Sequence, residues 1–178
     1  MSEGPRIPLA EARDLAGLVI AILTPVCDRV KVAGSVRRKK ETVGDIEIVC
    51  IPKAKTDLFG EVYREVSDIN NALYYIGGYT FPRFNGDKFK QFRLGPCNCD
   101  LFITSPECWG MIYTIRTGSA DFSHRLVTPK NQGGLCPSYL QAKEGRLLHR
   151  ETGRAYDTPE EKDVFRIMGL TWIEPEAR

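Results

Sequence analysis

Residues 45–51 read Asp-Ile-Glu-Ile-Val-Cys-Ile, a run in which two carboxylates alternate with apolar side chains. The alternation predicts a β-strand, because successive side chains of a strand point to opposite faces. Asp45 and Glu47 then share one face, while Ile46 and Ile48 share the other. Either that face is simply solvated, or its carboxylates hold metal ions. The remainder of the chain has to decide between the two interpretations.

The bulk composition is that of an ordinary globular protein. The chain has 178 residues, of which 42% are hydrophobic and 27% charged, which suits one domain or one domain with a small appendage. A net charge of +2 does not by itself indicate a nucleic-acid-binding protein. No apolar run approaches the roughly 18 residues of a membrane span, and the acidic N-terminus lacks a signal-peptide layout. We therefore expect an intracellular protein that is neither secreted nor membrane-bound.

The pattern of the first 105 residues predicts an α+β unit with a mixed sheet and helices. Leu15, Leu18, Val19 and Ile22 repeat at helical spacing, and Asn85-Gly86 between β-prone runs indicates a hairpin. The predicted elements are a helix ending at Pro25, strands at 29–33 and 45–51, a helix from Leu58 through Leu73 closed by Gly77-Gly78, the hairpin, and a strand at 99–104.

Residues 106–178 predict a second, smaller α/β unit. Trp109, Ile112 and Tyr113 mark one face of a short helix, which Thr117-Gly118-Ser119 interrupts before a further helix. Residues 127–157 are rich in Gly, Pro and basic residues, with short strands. A final helix is expected to begin with Thr158 as its N-cap and to end at Gly169. The six cysteines match no disulfide framework of a secreted domain, so we expect buried, reduced thiols.

Three further features favour metal chemistry at the carboxylates. Gly34-Ser35 follows a predicted strand, where backbone amides and a hydroxyl suit phosphate oxygens, and a basic run, Arg37 to Lys40, follows it. Asp100 lies in a third strand. Three converging carboxylates repel one another unless cations lie among them, and oxygen ligands favour Mg²⁺. Two such ions suit an in-line phosphoryl displacement, so the sequence predicts nucleotidyl transfer.

The residues that carry this chemistry resemble a known family. The spacing Gly-Ser-x(9)-Asp-x-Glu resembles the nucleotidyltransferase signature, and Gly34-Ser35-Val36-Arg37-Arg38, Glu41 and Gly44-Asp45 resemble the palm of the DNA polymerase X family. Arg6-Ile7-Pro8, Thr117-Gly118-Ser119 with Phe122, and the C-terminal EKDVFRIMGLTWIEPEAR are similar to the same family, the last segment to its thumb. The resemblance covers nearly the whole chain and implies a palm at 1–105 and a thumb at 106–178.

The resemblance also implies roles for individual residues. Asp45 and Glu47 would bind both metal ions, and Asp100 would ligate the catalytic ion near the primer 3′-hydroxyl. The implied cofactor is a pair of Mg²⁺ ions, with Mn²⁺ as a substitute. The implied nucleotide-binding residues are Gly34, Ser35, Arg38, Gly44, Arg6, Arg116, Thr117, Gly118, Ser119 and Ser123. Basic side chains expected against DNA, either from their setting beside the motif or as charges of the hairpin and thumb, are Lys39, Lys40, Lys88, Lys90 and Arg125.

Several positions depart from the family pattern. Glu47 replaces an Asp, Ile115 and Arg116 replace an aromatic pair, Ser123 replaces an Asn, and Val127 stands where several members have Arg. These changes bear on sugar discrimination and on fidelity. We expect neither a lyase domain nor helix-hairpin-helix fingers, which makes the chain a minimal palm-plus-thumb protein of the viral type.

The expected function is that of a monomeric DNA-directed DNA polymerase that fills short gaps. Its partners would be primer-template or gapped DNA and a deoxynucleoside triphosphate, with ribonucleotides as an open possibility. Two alternatives remain at this point. One is a template-independent or small-molecule nucleotidyltransferase, of the kind that modifies antibiotics, and the other is a non-catalytic DNA-binding module.

Overall fold

The computed structural model describes residues 5–74, 76 and 86–178. It divides into two compact units, Met1–Thr104 and Ser105–Arg178, which are described separately below. The first unit has helices α1 (Leu9–Leu23), α2 (Gly34–Arg37) and α3 (Ser67–Tyr74), and strands β1 (Ile7–Pro8), β2 (Cys27–Val32), β3 (Thr42–Val43), β4 (Asp45–Pro52), β5 (Ala54–Thr56), β6 (Val62–Arg64), β7 (Phe89–Leu94) and β8 (Cys97–Ile103).

A mixed four-stranded sheet organises the first unit. Its order is β2-β4-β8-β7, with β4 and β8 parallel and the two outer pairs antiparallel. Ile46 and Ile48 of β4 are fully buried in one core with Leu101 of β8, and the apolar stripe of α1, which includes Val19, belongs to the same core. Because strand side chains alternate, Asp45 and Glu47 lie on the opposite face. The predicted α+β class with a mixed sheet is confirmed.

One predicted helix is wrong over most of its length. Residues 58–66 do not form a helix; they include β6, which pairs with the preceding β5 in an antiparallel hairpin, and the helix begins only at Ser67. The Asp57 carboxylate accepts hydrogen bonds from the backbone N–H groups of Phe59 and Glu61 at 2.8 and 2.9 Å, and Gly60 has φ +85°. This local turn chemistry overrides a helical spacing of apolar residues.

The predicted hairpin at Asn85-Gly86 lies largely outside the described residues, as does the predicted helix end at Gly77-Gly78. Within the described part, the N–H of Gly86 donates to the carbonyl of Phe89 at 2.9 Å. The neighbouring hairpin, which joins β7 to β8, turns at Gly95 with φ +58°.

The second unit contains α4 (Trp109–Thr117), α5 (Ala120–Val127), β9 (Leu140–Lys143), β10 (Arg146–His149), β11 (Ala155–Tyr156) and α6 (Glu161–Met168). The three strands form an antiparallel sheet in the order β11-β10-β9. Leu126, Leu147 and Phe165 are among the buried residues of its core. The two helices around the Thr-Gly-Ser break and the short strands after it are confirmed.

The final helix begins two residues later than predicted. Its N-cap is Glu160, which forms a capping box with Asp163, rather than Thr158. The hydroxyl of Thr158 instead accepts from the N–H of Met111 and donates to the carbonyl of Glu107, both at 3.3 Å. A buried threonine that ties the helix to the preceding segment is not available to cap it.

Two predictions concern the cysteines and possible membrane spans. All six cysteines are buried and none forms a disulfide. Within the described residues, no helix combines the length and the hydropathy that a bilayer crossing requires.

Candidate active site in the first unit

The three predicted carboxylates lie on one face of two neighbouring strands. The parallel pairing of β4 with β8 sets Asp45 beside Asn98 and Glu47 beside Asp100. Neighbouring strands are about 4.8 Å apart, and residues paired in this way point to the same face. Asp45 is exposed, whereas Glu47 and Asp100 are half-buried. The sheet therefore brings together the carboxylates that the sequence separates by more than fifty positions.

Asp100 is oriented by a residue that the sequence reasoning missed. The side-chain amide of Gln91 donates to Oδ1 of Asp100 at 2.8 Å, and the two residues pair across β7 and β8. A hydrogen bond of this kind restricts the rotamer of a carboxylate. The sequence signal was the alternation of apolar Phe92 and Leu94 with polar Gln91 and Arg93, which sets Gln91 on the face opposite Phe92.

The fit of these residues to metal ions rests on the chemistry of their donors. Across residues 5–74, 76 and 86–178, no three side chains of the types His, Cys, Asp and Glu already lie close enough together to hold an ion. The β4–β8 face nevertheless carries the carboxylate oxygens of Asp45, Glu47 and Asp100, and oxygen is the ligand type that Mg²⁺ prefers. Small rotamer changes of like-charged groups on neighbouring strands would bring these oxygens together around a cation.

Gly34 is required by the packing of Glu47. The residue has φ +57°, and a Cβ atom built on it would lie 2.0 Å from Oε2 of Glu47. The backbone of this turn is fixed to the same strand, because the N–H of Ala33 donates to the carbonyl of Glu47 at 2.8 Å. The Glu47 side chain thus lies against the Gly34-Ser35 turn, and any larger residue at position 34 would displace it.

Ser35 carries a hydroxyl suited to a ligand. Its Oγ atom is buried and has no hydrogen-bond partner among the described residues. Leaving such a group unsatisfied costs about 1–3 kcal/mol, which a phosphate oxygen accepting from it would recover. Arg38, half-buried at the end of α2, donates its backbone N–H to the carbonyl of Gly34 at 3.0 Å. Lys39 and Lys40 follow and are exposed.

Arg6 lies at the corner before β4. Its guanidinium donates to the hydroxyl and the carbonyl of Thr42 at 3.0 and 2.8 Å, and Ile7 pairs with Val43 in the short β1–β3 ladder. A Cβ on Gly44 would come within 3.5 Å of an Arg6 nitrogen. Arg6 is therefore held beside Gly44, the residue that precedes Asp45. The resemblance predicted a triphosphate contact at this position.

One predicted DNA contact is wrong. Lys90 is 2% exposed, and its ammonium group donates to the carbonyl of Gly86 at 3.2 Å. Burial lowers its pKa, although the neighbouring Asp87 and Cys50 act in the opposite direction. Lys90 pairs with Leu101 and so belongs to the inward face, because the strand alternates. Lys88, two positions earlier, is exposed and stays a predicted contact.

Substituting Lys90 is expected to leave DNA affinity unchanged. A Lys90→Met variant should be as stable as the wild type or more stable at neutral pH, since it removes a buried charge. The pKa of Lys90 is lower in the folded state than in the unfolded state. The destabilisation by its buried charge is therefore full below the folded-state pKa. This destabilisation decreases as pH rises from the folded-state pKa toward the unfolded-state pKa. Urea unfolding from pH 7 to pH 10 should show the two proteins converging.

The matched control for this experiment is Lys88→Met, at an exposed position of the same segment. It should leave stability unchanged at every pH. A drop in DNA affinity confined to Lys90→Met, with both variants folded, would contradict the assignment.

In the second unit, the Thr117-Gly118-Ser119 break is a tight corner between α4 and α5. Ser119 Oγ accepts from the N–H of Phe122 at 3.2 Å and so caps α5. Ser123 Oγ donates to the carbonyl of Ile115 at 2.6 Å. A Cβ on Gly118 would lie 2.4 Å from Phe122 and 2.6 Å from Ser123. The predicted nucleotide-binding hydroxyls therefore build the corner, and their contact with a nucleotide stays a prediction.

The remaining predicted residues of the second unit have different environments. Thr117 is buried, Arg116 is half-buried and Arg125 is exposed. The exposed position of Arg125 suits a contact to a DNA backbone.

Part of the chain matches a known protein family. Residues 114–178 match the DNA polymerase beta thumb, a segment that covers the second unit apart from its first nine residues. The match supports a relationship to the polymerase X family, as the resemblance of Thr117-Gly118-Ser119 and of the C-terminal segment implied. Together with the mixed sheet of the first unit, it fits an arrangement of palm followed by thumb.

Proposed function

We propose that the chain is a DNA-directed DNA polymerase that adds nucleotides to a primer 3′-hydroxyl and fills short gaps. The observation that carries the proposal is the alignment of Asp45, Glu47 and Asp100 on one face of β4 and β8. It occurs in a chain whose C-terminal part matches a polymerase thumb. The proposed substrates are gapped or primed DNA and deoxynucleoside triphosphates. In this proposal residues 1–105 are the palm, and the protein acts as an intracellular monomer.

In this proposal, the residues of the first unit have different roles in the reaction. Asp45 and Glu47 would hold two Mg²⁺ ions, and Mn²⁺ could replace them. These ions would supply charge neutralisation for the attacking and leaving oxygens. Ser35 Oγ would donate to a phosphate oxygen, and Arg38 with Arg6 would neutralise the triphosphate. Asp100, oriented by Gln91, would accept the hydrogen bond of the primer 3′-hydroxyl and direct its oxygen at the α-phosphate.

The proposal is tested by extension of a gapped primer-template with each deoxynucleotide and ribonucleotide, with and without template. We expect template-matched addition that requires Mg²⁺ or Mn²⁺ and stops when EDTA is added. The ribonucleotide lanes report on the altered positions Ile115 and Arg116. A single-stranded primer and an aminoglycoside antibiotic serve as alternative acceptors.

Each alternative function has its own outcome in this experiment. Addition to the single-stranded primer alone would indicate a template-independent transferase, and transfer to the antibiotic would indicate a small-molecule enzyme. Retention of gapped DNA without transfer to any acceptor, by a protein shown to be folded, would indicate a non-catalytic module. The thumb match disfavours the small-molecule enzyme, which has no need of a DNA-binding subdomain.

A further inference from the structure

Two rows of side chains cross the face of the sheet that carries the carboxylates. The pairing of β4 with β8 and of β8 with β7 gives one exposed row, Asp45, Asn98 and Arg93, and one half-buried row, Glu47, Asp100 and Gln91. Residues paired across neighbouring strands point to the same face. A cation, Arg93, therefore stands on this acidic face, and the reaction as proposed does not use it.

Arg93 is anchored at one end of its guanidinium group. Its Nε atom donates to the carbonyl of Gly95, in the turn that joins β7 to β8, at 3.0 Å. Among the residues that the structure describes, Arg93 forms no ion pair and no other hydrogen bond. A guanidinium presents several N–H donors in a planar fork. The side chain is thus held in place by its base while its outer donors face solvent.

The nearest carboxylate of the site has a neutral partner instead of this cation. Gln91 donates its side-chain amide to Oδ1 of Asp100 at 2.8 Å. Arg93 occupies the diagonal position, where side chains of paired strands are about 7–8 Å apart. A cation paired with Asp100 would compete with a metal ion for the carboxylate, whereas an uncharged amide does not. Strand β7 therefore places a neutral donor beside the carboxylate and a positive charge one row away.

The order of the strands puts Arg93 and the Gly34-Ser35 turn on opposite sides of the carboxylates. The order is β2-β4-β8-β7; the turn follows β2 and lies against Glu47 of β4, while Arg93 lies on β7. In an in-line phosphoryl transfer, the attacking and leaving oxygens are on opposite sides of the phosphorus. With the leaving phosphates at Ser35, the hydroxyl attacks from the side of β8 and β7. A phosphate that reaches Arg93 then belongs to the strand that carries this hydroxyl.

We infer that Arg93 binds the phosphodiester between the last two nucleotides of the primer strand and so positions the 3′-hydroxyl at Asp100. The ligand is a phosphate diester, whose oxygens match the guanidinium fork. A separation of about 7–8 Å is comparable with the length of one nucleotide of backbone, which places the hydroxyl at Asp100 and the preceding phosphate at Arg93. This inference rests on the proposed function, because that function assigns a DNA strand to the attacking side.

The test removes the charge from each side of the contact in turn. Gapped DNA is prepared with a neutral methylphosphonate in place of the last phosphodiester of the primer. Its binding to the full-length protein is measured by fluorescence anisotropy in EDTA and without nucleotide, so that no turnover occurs. We expect Arg93→Gln to weaken binding of unmodified DNA by about tenfold and to reduce the slope of log affinity against log salt by about 0.9. The methylphosphonate should weaken binding by the wild type similarly and leave Arg93→Gln unaffected.

Two variants and one further DNA serve as controls. Arg13→Gln removes the same charge from an exposed position of α1, whose apolar stripe packs on the other face of the sheet, and should bind as the wild type does. Arg93→Lys keeps the charge and should retain the salt slope. A methylphosphonate one linkage farther upstream should affect the wild type and Arg93→Gln equally. Thermal unfolding should be the same for all variants, because both arginines are exposed.

The outcomes separate this contact from other roles of Arg93. Equal weakening of the wild type and of Arg93→Gln by the terminal methylphosphonate would overturn the inference. So would a raised KM for the deoxynucleotide with unchanged DNA affinity, since that result places Arg93 on the triphosphate. Failure of the proposed function would appear differently, as absent primer extension by a wild type whose DNA binding still depends on Arg93 and on the terminal phosphate.

Discussion

Replacing Asp100 by Asn is expected to reduce primer extension by about 10³-fold or more while the protein stays folded. Charge stabilisation at a metal-assisted phosphoryl transfer contributes several kcal/mol, and each 1.36 kcal/mol is a factor of ten in rate. The substitution removes the charge with little change in shape. The amide oxygen of Asn at position 100 can still accept the hydrogen bond that Gln91 donates at 2.8 Å in the wild type. Single-turnover extension of a gapped primer-template measures the loss.

The matched control for Asp100→Asn is Glu151→Gln, which removes one carboxylate from an exposed loop of the second unit. That variant should extend primers as the wild type does. Thermal unfolding should place both variants close to the wild type, so that lost activity is not lost structure. Near wild-type extension by Asp100→Asn would contradict the assignment of the β4–β8 face as the reaction centre. Equivalent losses are expected for Asp45→Asn and Glu47→Gln.

Replacing Gly34 by Ala is expected to damage both stability and activity. The φ of +57° costs an L-residue about 1–2 kcal/mol. The added Cβ would lie 2.0 Å from Oε2 of Glu47, so the carboxylate must move. Misplacing a reacting group by about 1 Å can reduce the rate about 10²-fold. We therefore expect a loss of about 1–2 kcal/mol in urea unfolding and a rate decrease on the order of 10²-fold in gap filling.

A second glycine separates backbone strain from the clash. Gly153 has φ +69° and nothing within 4 Å of a built Cβ, so Gly153→Ala should cost similar stability and leave activity unchanged. Glu47→Asp alone should keep activity. Combined with Gly34→Ala, it should restore part of the lost rate, because the shorter side chain vacates the space of the new methyl group. Loss of activity in the folded Glu47→Asp variant would show that the site requires glutamate.

The strands that carry Asp45, Glu47 and Asp100 were predictable because their pattern is strong. The alternation at 45–51 gave β4 within one residue of its observed end, and residues 99–103 of the predicted strand lie in β8. The helical repeat at residues 15–22 lies within α1. The alternation set Asp45 and Glu47 on one face, and the spacing Gly-Ser-x(9)-Asp-x-Glu carried the resemblance to nucleotidyltransferases. Such patterns survive folding because they report which face of an element is buried.

The failures have local and tertiary causes. The segment 58–66 has helical spacing, but the Asp57 turn makes it a hairpin. Lys90 looked like a surface charge, yet its strand position turns it inward. Thr158 looked like an N-cap, but its hydroxyl is engaged with Glu107 and Met111. In each case, a competing contact that the one-dimensional pattern does not record decided the outcome.

The sequence by itself determined that Asp45 and Glu47 share a face, because strand alternation is a property of the backbone. It also indicated that Gly34-Ser35 suits phosphate. Only the tertiary structure decided that Asp100 stands directly beside Glu47 and that Gln91 orients it. It also showed that the Glu47 side chain occupies the space that a Cβ atom at position 34 would fill, so that position requires glycine. The register between β4 and β8 joins residues far apart in the chain, and that pairing is set by the packing of both strands in a common core.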